Sequence, residues 1–367
     1  MKNDSSIMAS GLQGFRASGL QGFRASGLQG FRDHIADSLR GWAIICVVIG
    51  HVIIWLHRSG IIFSHDLTIR YWVYSFHMPL MFMISGYVHG LTDRHNDGHG
   101  WSCHAGRNLV SIYLPYLWVS YFGWAVSLFF FRGTSNPINY NMAQFSELFR
   151  IPYIGFREYW FLCTLFQVKL VHIAFECRTK NHIYNTIFWL IVFAAMTYFK
   201  PHLPIYVSRF SFGMYFHAGW LMKTKALIST ERHPHFSVGV LLIAAGTILH
   251  FFPVFSGPLS GTASAVCSCL GFFTVFYALK VKPALLVLAG STSMVMFILH
   301  DYVIFAMALV FKFTGFLSGE PFAASVLTFT LAVGVSLLTV KLYQNVRCFR
   351  WIEYIFYPGK LLKKKKA

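Results

Sequence analysis

Leu39-Arg40-Gly41-Trp42-Ala43-Ile44-Ile45-Cys46-Val47-Val48-Ile49-Gly50-His51-Val52-Ile53-Ile54-Trp55 is the run that decides the fold class. It is long and apolar enough to cross the hydrocarbon core of a bilayer, which takes roughly 20 residues of helix. Two ionisable groups nevertheless sit inside it. Arg40 and His51 are eleven positions apart, which on a helix puts them on nearly one face and roughly 16 Å apart along the axis. Intramembrane charges are costly and mark functional sites.

The rest of the chain repeats this character. Its 367 residues are 56% hydrophobic, 18% aromatic and 12% charged, with a mean hydropathy of +0.53; a soluble domain carries about a quarter charged residues. Ten apolar spans follow, approximately 39–57, 71–91, 109–131, 157–176, 185–200, 205–222, 236–252, 259–279, 284–311 and 321–342. They are too long and too evenly apolar for barrel strands, and backbone in lipid must satisfy its own hydrogen bonds. The reading is an all-α polytopic integral membrane protein of about ten transmembrane helices.

Charge sets the orientation. The net charge of +18 would suggest nucleic acid in a soluble chain, but no nucleic-acid motif accompanies it. With the N-terminus in the cytoplasm, most of the 31 Lys and Arg fall on the inner side, including Arg94, Arg107, Arg178, Lys180, Lys223, Lys225 and Lys363 to Lys366. Both termini are therefore expected to be cytoplasmic. The sizeable outer loop, Arg132 to Phe156, reads as irregular from its Asn and Pro content. The cysteines imply no disulfide framework.

Residues 1–38 form a basic tail containing three copies of Ala-Ser-Gly-Leu-Gln-Gly-Phe-Arg, from Ala9 to Arg32. An octad with one Leu and one Phe buries too little to order itself, and its arginines suit anionic lipid. Each octad is a whole number of codons, so a change in octad number is expected to preserve the reading frame. The domain proper is 39–342, and 343–367 is a second basic tail.

Further polar groups mark the interior. His51 lies at a depth where the neutral imidazole that a general base needs is the favoured form, while Arg40 at the inner mouth suits a phosphate. Phe76-His77-Met78-Pro79 reads as the outer start of the second helix, where proline is tolerated. Ser293 and His300 share a face of the ninth span, although roughly 10 Å apart they form no nucleophile pair. Lys169 can snorkel inward or join Arg40. No metal motif or phosphate loop is evident.

Together these elements resemble the membrane-bound acyltransferase-3 family, sugar O-acetyltransferase type. Leu39-Arg40-Gly41 with Ile49-Gly50-His51 is similar to its Arg-x10-His first helix. Phe76-His77-Met78-Pro79-Leu80 with Ile84-Ser85-Gly86-Tyr87 is similar to its second-helix signature. Arg107 with Leu114-Pro115-Tyr116, Tyr159-Trp160-Phe161-Leu162, and Gly290 through Ser293 to His300 resemble later elements. Two positions depart: Arg107 stands alone where relatives carry more basic residues, and Tyr159 stands where His is common.

The resemblance implies transfer of an acetyl or other acyl group from cytoplasmic acetyl-CoA to a hydroxyl of a surface polysaccharide, such as a lipopolysaccharide O-antigen, or of a lipid-linked glycan, in a bacterial inner membrane and without metal. It implies His51 and His77 as catalytic residues, Arg40, Arg107 and Lys169 as donor-binding residues, and Ser85, Trp160, Ser293 and His300 as acceptor-binding or structural support. A transporter or flippase for an anionic or glycan substrate is the competing reading, with the buried charges forming its path; the absence of an inverted repeat weighs against it. A scaffold would leave those charges without a purpose.

Overall fold

The computed structural model describes residues 33–58, 64–92, 101–130, 145–179, 181–227, 235–252 and 258–314, with a few isolated positions beyond. The octads, residues 132–144 of the expected outer loop, nearly all of the expected 321–342 span and the C-terminal tail lie outside the described residues. Among the described residues the chain is helical, without strands. The helices are α1 His34–Arg58, α2 Ser64–Thr92, α3 Trp101–Asn108, α4 Leu114–Phe130, α5 Glu147–Ile154, α6 Trp160–Thr179, α7 His182–Tyr198, α8 Ile205–Ser208, α9 Phe212–Thr224, α10 Phe236–Phe251, α11 Pro258–Ala278, α12 Ala284–Ser291 and α13 Ser293–Thr314.

Among the described residues, four stretches are long and apolar enough to cross a membrane: His34–Trp55, His104–Leu128, Trp160–Thr179 and Leu259–Ala278. A fifth arises if the pair α12 and α13, bent by 86°, counts as one. That bend corrects the expectation of a continuous ninth span. The expected sixth span is also divided, into α8, a 3-10 turn at Arg209–Ser211, and α9. In the loop expected to be irregular, residues 147–154 form α5.

Local chemistry explains several boundaries. Asp33 Oδ1 accepts from the amides of Ile35 and Ala36 at 2.9 and 3.1 Å, capping α1 ahead of the expected start at Leu39. Its Oδ2 accepts from Tyr277 Oη at 2.6 Å and Tyr87 Oη at 3.3 Å, tying the foot of α1 to α11 and α2. A π-turn, Leu109–Tyr113, joins α3 to α4. It lies just before Pro115, whose missing N–H would interrupt a regular ladder.

Pro79 lies inside α2, not at a helix start as the sequence reading had it. The helix begins seven residues earlier than the expected span, and Pro79 cannot return a hydrogen bond to the Ser75 carbonyl. Both residues border the cavity described below.

Two crossings bring backbones together at the helices that carry His51 and His77. A Cβ on Gly86 would collide with the Phe216 carbonyl, and one on Gly219 with the Met83 carbonyl, so α2 and α9 touch through reciprocal glycines. Gly41 faces the Leu286 carbonyl and Gly290 the Asp37 carbonyl in the same manner, locking α1 to α12. Small residues at such contacts are how apolar helices associate in lipid. The two helices that bear His51 and His77 are thereby anchored against fixed neighbours.

Candidate active site

A cavity of about 740 Å³ opens among α1, α2, α6, α7, α9 and α11. His51 and His77 both line it, with Trp160, Tyr74, Met78, Phe212, Tyr215 and Thr262. Its remaining wall includes Thr197, Lys200, Ile205 and Arg157.

His51 is held by α13. His300, 2% exposed, directs Nδ1 at the Met296 carbonyl, 3.0 Å away. A carbonyl only accepts, so Nδ1 carries the proton, and the Nε2 of neutral His300 is an acceptor. That atom lies 2.9 Å from His51 Nδ1, which must therefore donate. The proton of neutral His51 is fixed on Nδ1, and Nε2 is left with its lone pair. The assignment follows from the bonding partners.

Asp301 completes the arrangement. Its Oδ1 accepts from Trp55 Nε1 at 2.8 Å and lies 3.9 Å from His51 Nδ1. Trp55 stands one turn beyond His51 on α1, so the two helices exchange two polar contacts side by side.

His77, 3% exposed, uses the same device: its Nδ1 donates to the Val73 carbonyl at 2.9 Å, leaving Nε2 as an acceptor in the neutral ring. Tyr74 packs on it with ring centroids 4.6 Å apart.

The cavity is rich in cations. Arg209 lies over the Trp160 ring at 4.3 Å and donates to the Ile154 carbonyl at 3.3 Å. Arg157 donates through Nη2 to Ser127 Oγ at 2.7 Å, and its φ of 47° is uncommon for a residue with a side chain. Lys200 also lines the space, and no Asp or Glu is among its described lining residues.

The other expected site residues stand apart. Arg40 pairs with Asp37 at 3.9 Å and does not line the cavity; neither do exposed Arg107 and half-buried Lys169. Ser85 Oγ donates to the Met81 carbonyl at 2.8 Å, a bond within its own helix. Ser293 is the first residue of α13, just past the bend. The single passage from Arg40 to His51 is thus not formed by this cavity, whereas His51, His77 and Trp160 are brought together. Asp301 and Trp55 beside His51, and Arg157 and Arg209 in the cavity wall, were not among the expected site residues. For Asp301 the adjacent His300 was the available signal, and for the arginines their place beside Trp160 and the outer loops.

His51, His300 and Asp301 also present ligand atoms within 4.8 Å of one another, a set able to hold a metal ion. The direct 2.9 Å contact between the two imidazoles is instead the length of a hydrogen bond, and a bridging ion would have to displace it. The arrangement is suited to moving a proton.

A family model described as an acyltransferase domain matches residues 33–341. No curated protein and no solved structure matches the chain. The match covers most of the sequence, and the chain belongs to the membrane-bound acyltransferase-3 family.

Proposed function

From this membership we propose that the protein is an integral-membrane O-acyltransferase that moves an acetyl group from cytoplasmic acetyl-CoA to a sugar hydroxyl of a surface or lipid-linked glycan. The single observation that carries the reading is the tautomer of His51: the Nδ1–H donates to His300, which makes Nε2 the basic nitrogen, and the ring lines a cavity shared with His77. In this reading the attacking hydroxyl gives its proton to His51 Nε2 as its oxygen bonds the thioester carbonyl carbon. Collapse of the tetrahedral intermediate breaks the C–S bond, and the proton passes to the departing thiolate, giving an ester and free coenzyme A. The transfer needs no covalent enzyme intermediate and no metal. His300 and Asp301 hold and stabilise the imidazolium, and His77 Nε2 accepts from the acceptor sugar.

The cations Arg157, Lys200 and Arg209 favour an acceptor that carries a phosphate or a carboxylate, because Arg binds such groups in a forked geometry. Trp160 and Tyr74 offer faces for a sugar ring. Arg40, Arg107 and Lys169 remain proposed contacts for the anionic donor from the inner side, with ten spans, cytoplasmic termini and a bacterial inner membrane as the topology. The test is incorporation of labelled acetyl from acetyl-CoA into glycan by membranes containing the protein. Incorporation abolished by His51→Ala, with normal insertion, supports the reading; normal incorporation by that variant removes His51 from it.

A further inference from the structure

A second polar cluster lies away from the cavity. His89 on α2, His172 and Glu176 on α6, and His217 on α9 are 7%, 0%, 6% and 0% exposed. His89 is twelve residues beyond His77, roughly 18 Å along the same helix. His172 and Glu176 are four residues apart, on one helical face. Sequence reading passed over this pair because its third member sits on another helix.

The separations are informative. Glu176 Oε2 is 3.7 Å from His172 Nδ1 and 4.0 Å from His89 Nε2, and the three ligand atoms lie within 4.8 Å of one another. These distances are too long for hydrogen bonds. They are close to the roughly 3.4 Å edge of a tetrahedron whose centre is about 2.0–2.1 Å from each ligand atom, the dimension of a zinc site.

The surrounding bonds orient His172 for this role. Thr186 Oγ1 donates to the His182 carbonyl at 2.8 Å, so it accepts from His217 Nε2 at 2.9 Å. His217 Nδ1 then accepts from His172 Nε2 at 3.2 Å. Asn185 Nδ2, 3.5 Å from the same Nε2, is too distant to reverse that direction. The Nδ1 lone pair of His172 consequently faces a carboxylate oxygen, an arrangement that a cation between them makes favourable. An imidazole whose other nitrogen donates to a fixed partner is the usual setting of a metal-bound histidine.

We propose that His89 Nε2, His172 Nδ1 and Glu176 Oε2 bind a divalent transition metal of the zinc type, with two nitrogens and one oxygen excluding magnesium or calcium as the preferred ion. None of the three lines the cavity, and His89 is roughly 18 Å from His77 along α2, so the ion would be a structural clamp joining α2 to α6, outside the acyl-transfer chemistry. Metal analysis of the full-length protein, purified in detergent after zinc supplementation, is expected to give about one zinc per chain, held by three protein ligands with the fourth position left to another ligand. His172→Ala and Glu176→Gln should lose it, and chelation should lower the melting temperature of the unaltered protein alone. X-ray absorption at the zinc edge of the unaltered protein, expected to show imidazole and carboxylate ligands, serves if the variants fail to fold. A metal-free protein, or zinc bound through sulfur, overturns the proposal and leaves the cluster as a proton-sharing network.

An independent inference comes from the octads. Gly11-Leu12-Gln13-Gly14-Phe15-Arg16-Ala17-Ser18 is the translation of one octanucleotide, GGGCTTCA, read three times over: GGG CTT CAG GGC TTC AGG GCT TCA. Every base of the unit falls once at each codon position, so the eight codons overdetermine it. Gly11, Gly14 and Ala17 fix the first four bases; Gln13, Leu12 and Phe15 fix the rest; Arg16 and Ser18 then agree without further choice. An arbitrary octapeptide cannot be written in this way.

We infer that the coding sequence over Ala9 to Arg32 is a tandem octanucleotide array and that its copy number switches expression. Eight is not a multiple of three, so gain or loss of one unit by strand slippage shifts the frame. The expectation that repeat changes preserve the frame therefore holds for whole octads and fails for the smaller unit. Every frame of the array encodes the same octad, so the shift takes effect from Asp33 onward, in the acyltransferase domain. Sequencing the gene should show GGGCTTCA throughout; synonymous codons that break the unit overturn the inference. Populations should contain lengths differing by one unit, with full-length protein lost by immunoblot, while three units change the protein by eight residues and keep it. Full-length protein from a one-unit variant also overturns it.

Discussion

His300→Ala tests the proposed catalytic arrangement most directly, because His300 contacts the proposed base, His51, without lining the cavity. The lost contact is the 2.9 Å bond from His51 Nδ1. A hydrogen bond to a charged group contributes about 1.5–3 kcal/mol, and this one becomes charge-assisted once His51 takes the proton. At 1.36 kcal/mol per factor of ten, kcat should fall about 10- to 10²-fold. His51→Ala removes the proposed base itself and should lower the rate about 10²- to 10⁴-fold. The double variant should be no slower than His51→Ala alone, since the partner has nothing left to orient. The assay is transfer of labelled acetyl to glycan in membranes, normalised to inserted protein, with the melting temperature as a folding control. A rate for His300→Ala near that of the unaltered enzyme, or additive losses in the double variant, would refute the orienting role.

Other consequences are accessible to similar measurements. Arg209→Ala should raise KM for an anionic glycan acceptor about tenfold or more with kcat less affected, the loss expected of a charged hydrogen bond; equal KM values for charged and neutral acceptors would argue against the cationic vestibule. Arg40→Ala should raise KM for acetyl-CoA and leave the acceptor KM unchanged, measured by varying each substrate. Trp55→Phe removes the indole donor to Asp301 and should lower kcat several-fold while folding is maintained, within the roughly 1–3 kcal/mol of an unsatisfied buried acceptor. Gly219→Leu should prevent stable folding, because it drives a side chain into the Met83 carbonyl, and overpacking costs about 1–3 kcal/mol even where neighbours can yield; fluorescence-detected chromatography of detergent extracts reads the result.

Much of the helical architecture was legible because span length and apolar continuity are one-dimensional properties. Helices α1, α6, α7, α10 and α11 lie within a few residues of their expected spans. The elbow after Ser291 was not legible: Gly290-Ser291-Thr292-Ser293 is compatible with continuing helix, and the hydroxyls of Ser291 and Thr292 both return to the Leu288 carbonyl at 2.8 Å. Pro79 misled for a similar reason, since proline marks a helix start in water but is tolerated within membrane helices. The site followed the same division. His51 and His77 were visible as polar residues in apolar runs, whereas the bonds that orient His51 join residues 249 positions apart, and periodicity reports a face without naming what lies opposite.

The elbow between α12 and α13 has a mechanical consequence. His300 stands seven residues beyond Ser293, a lever arm of roughly 10 Å. A swivel of about ten degrees at that joint would carry the imidazole nearly 2 Å sideways, enough to uncouple it from its neighbour while both helices stay folded. The same swivel would shift Phe297, which stands on α13 in the chamber wall, so the joint couples the shape of the chamber to the proton held beside it.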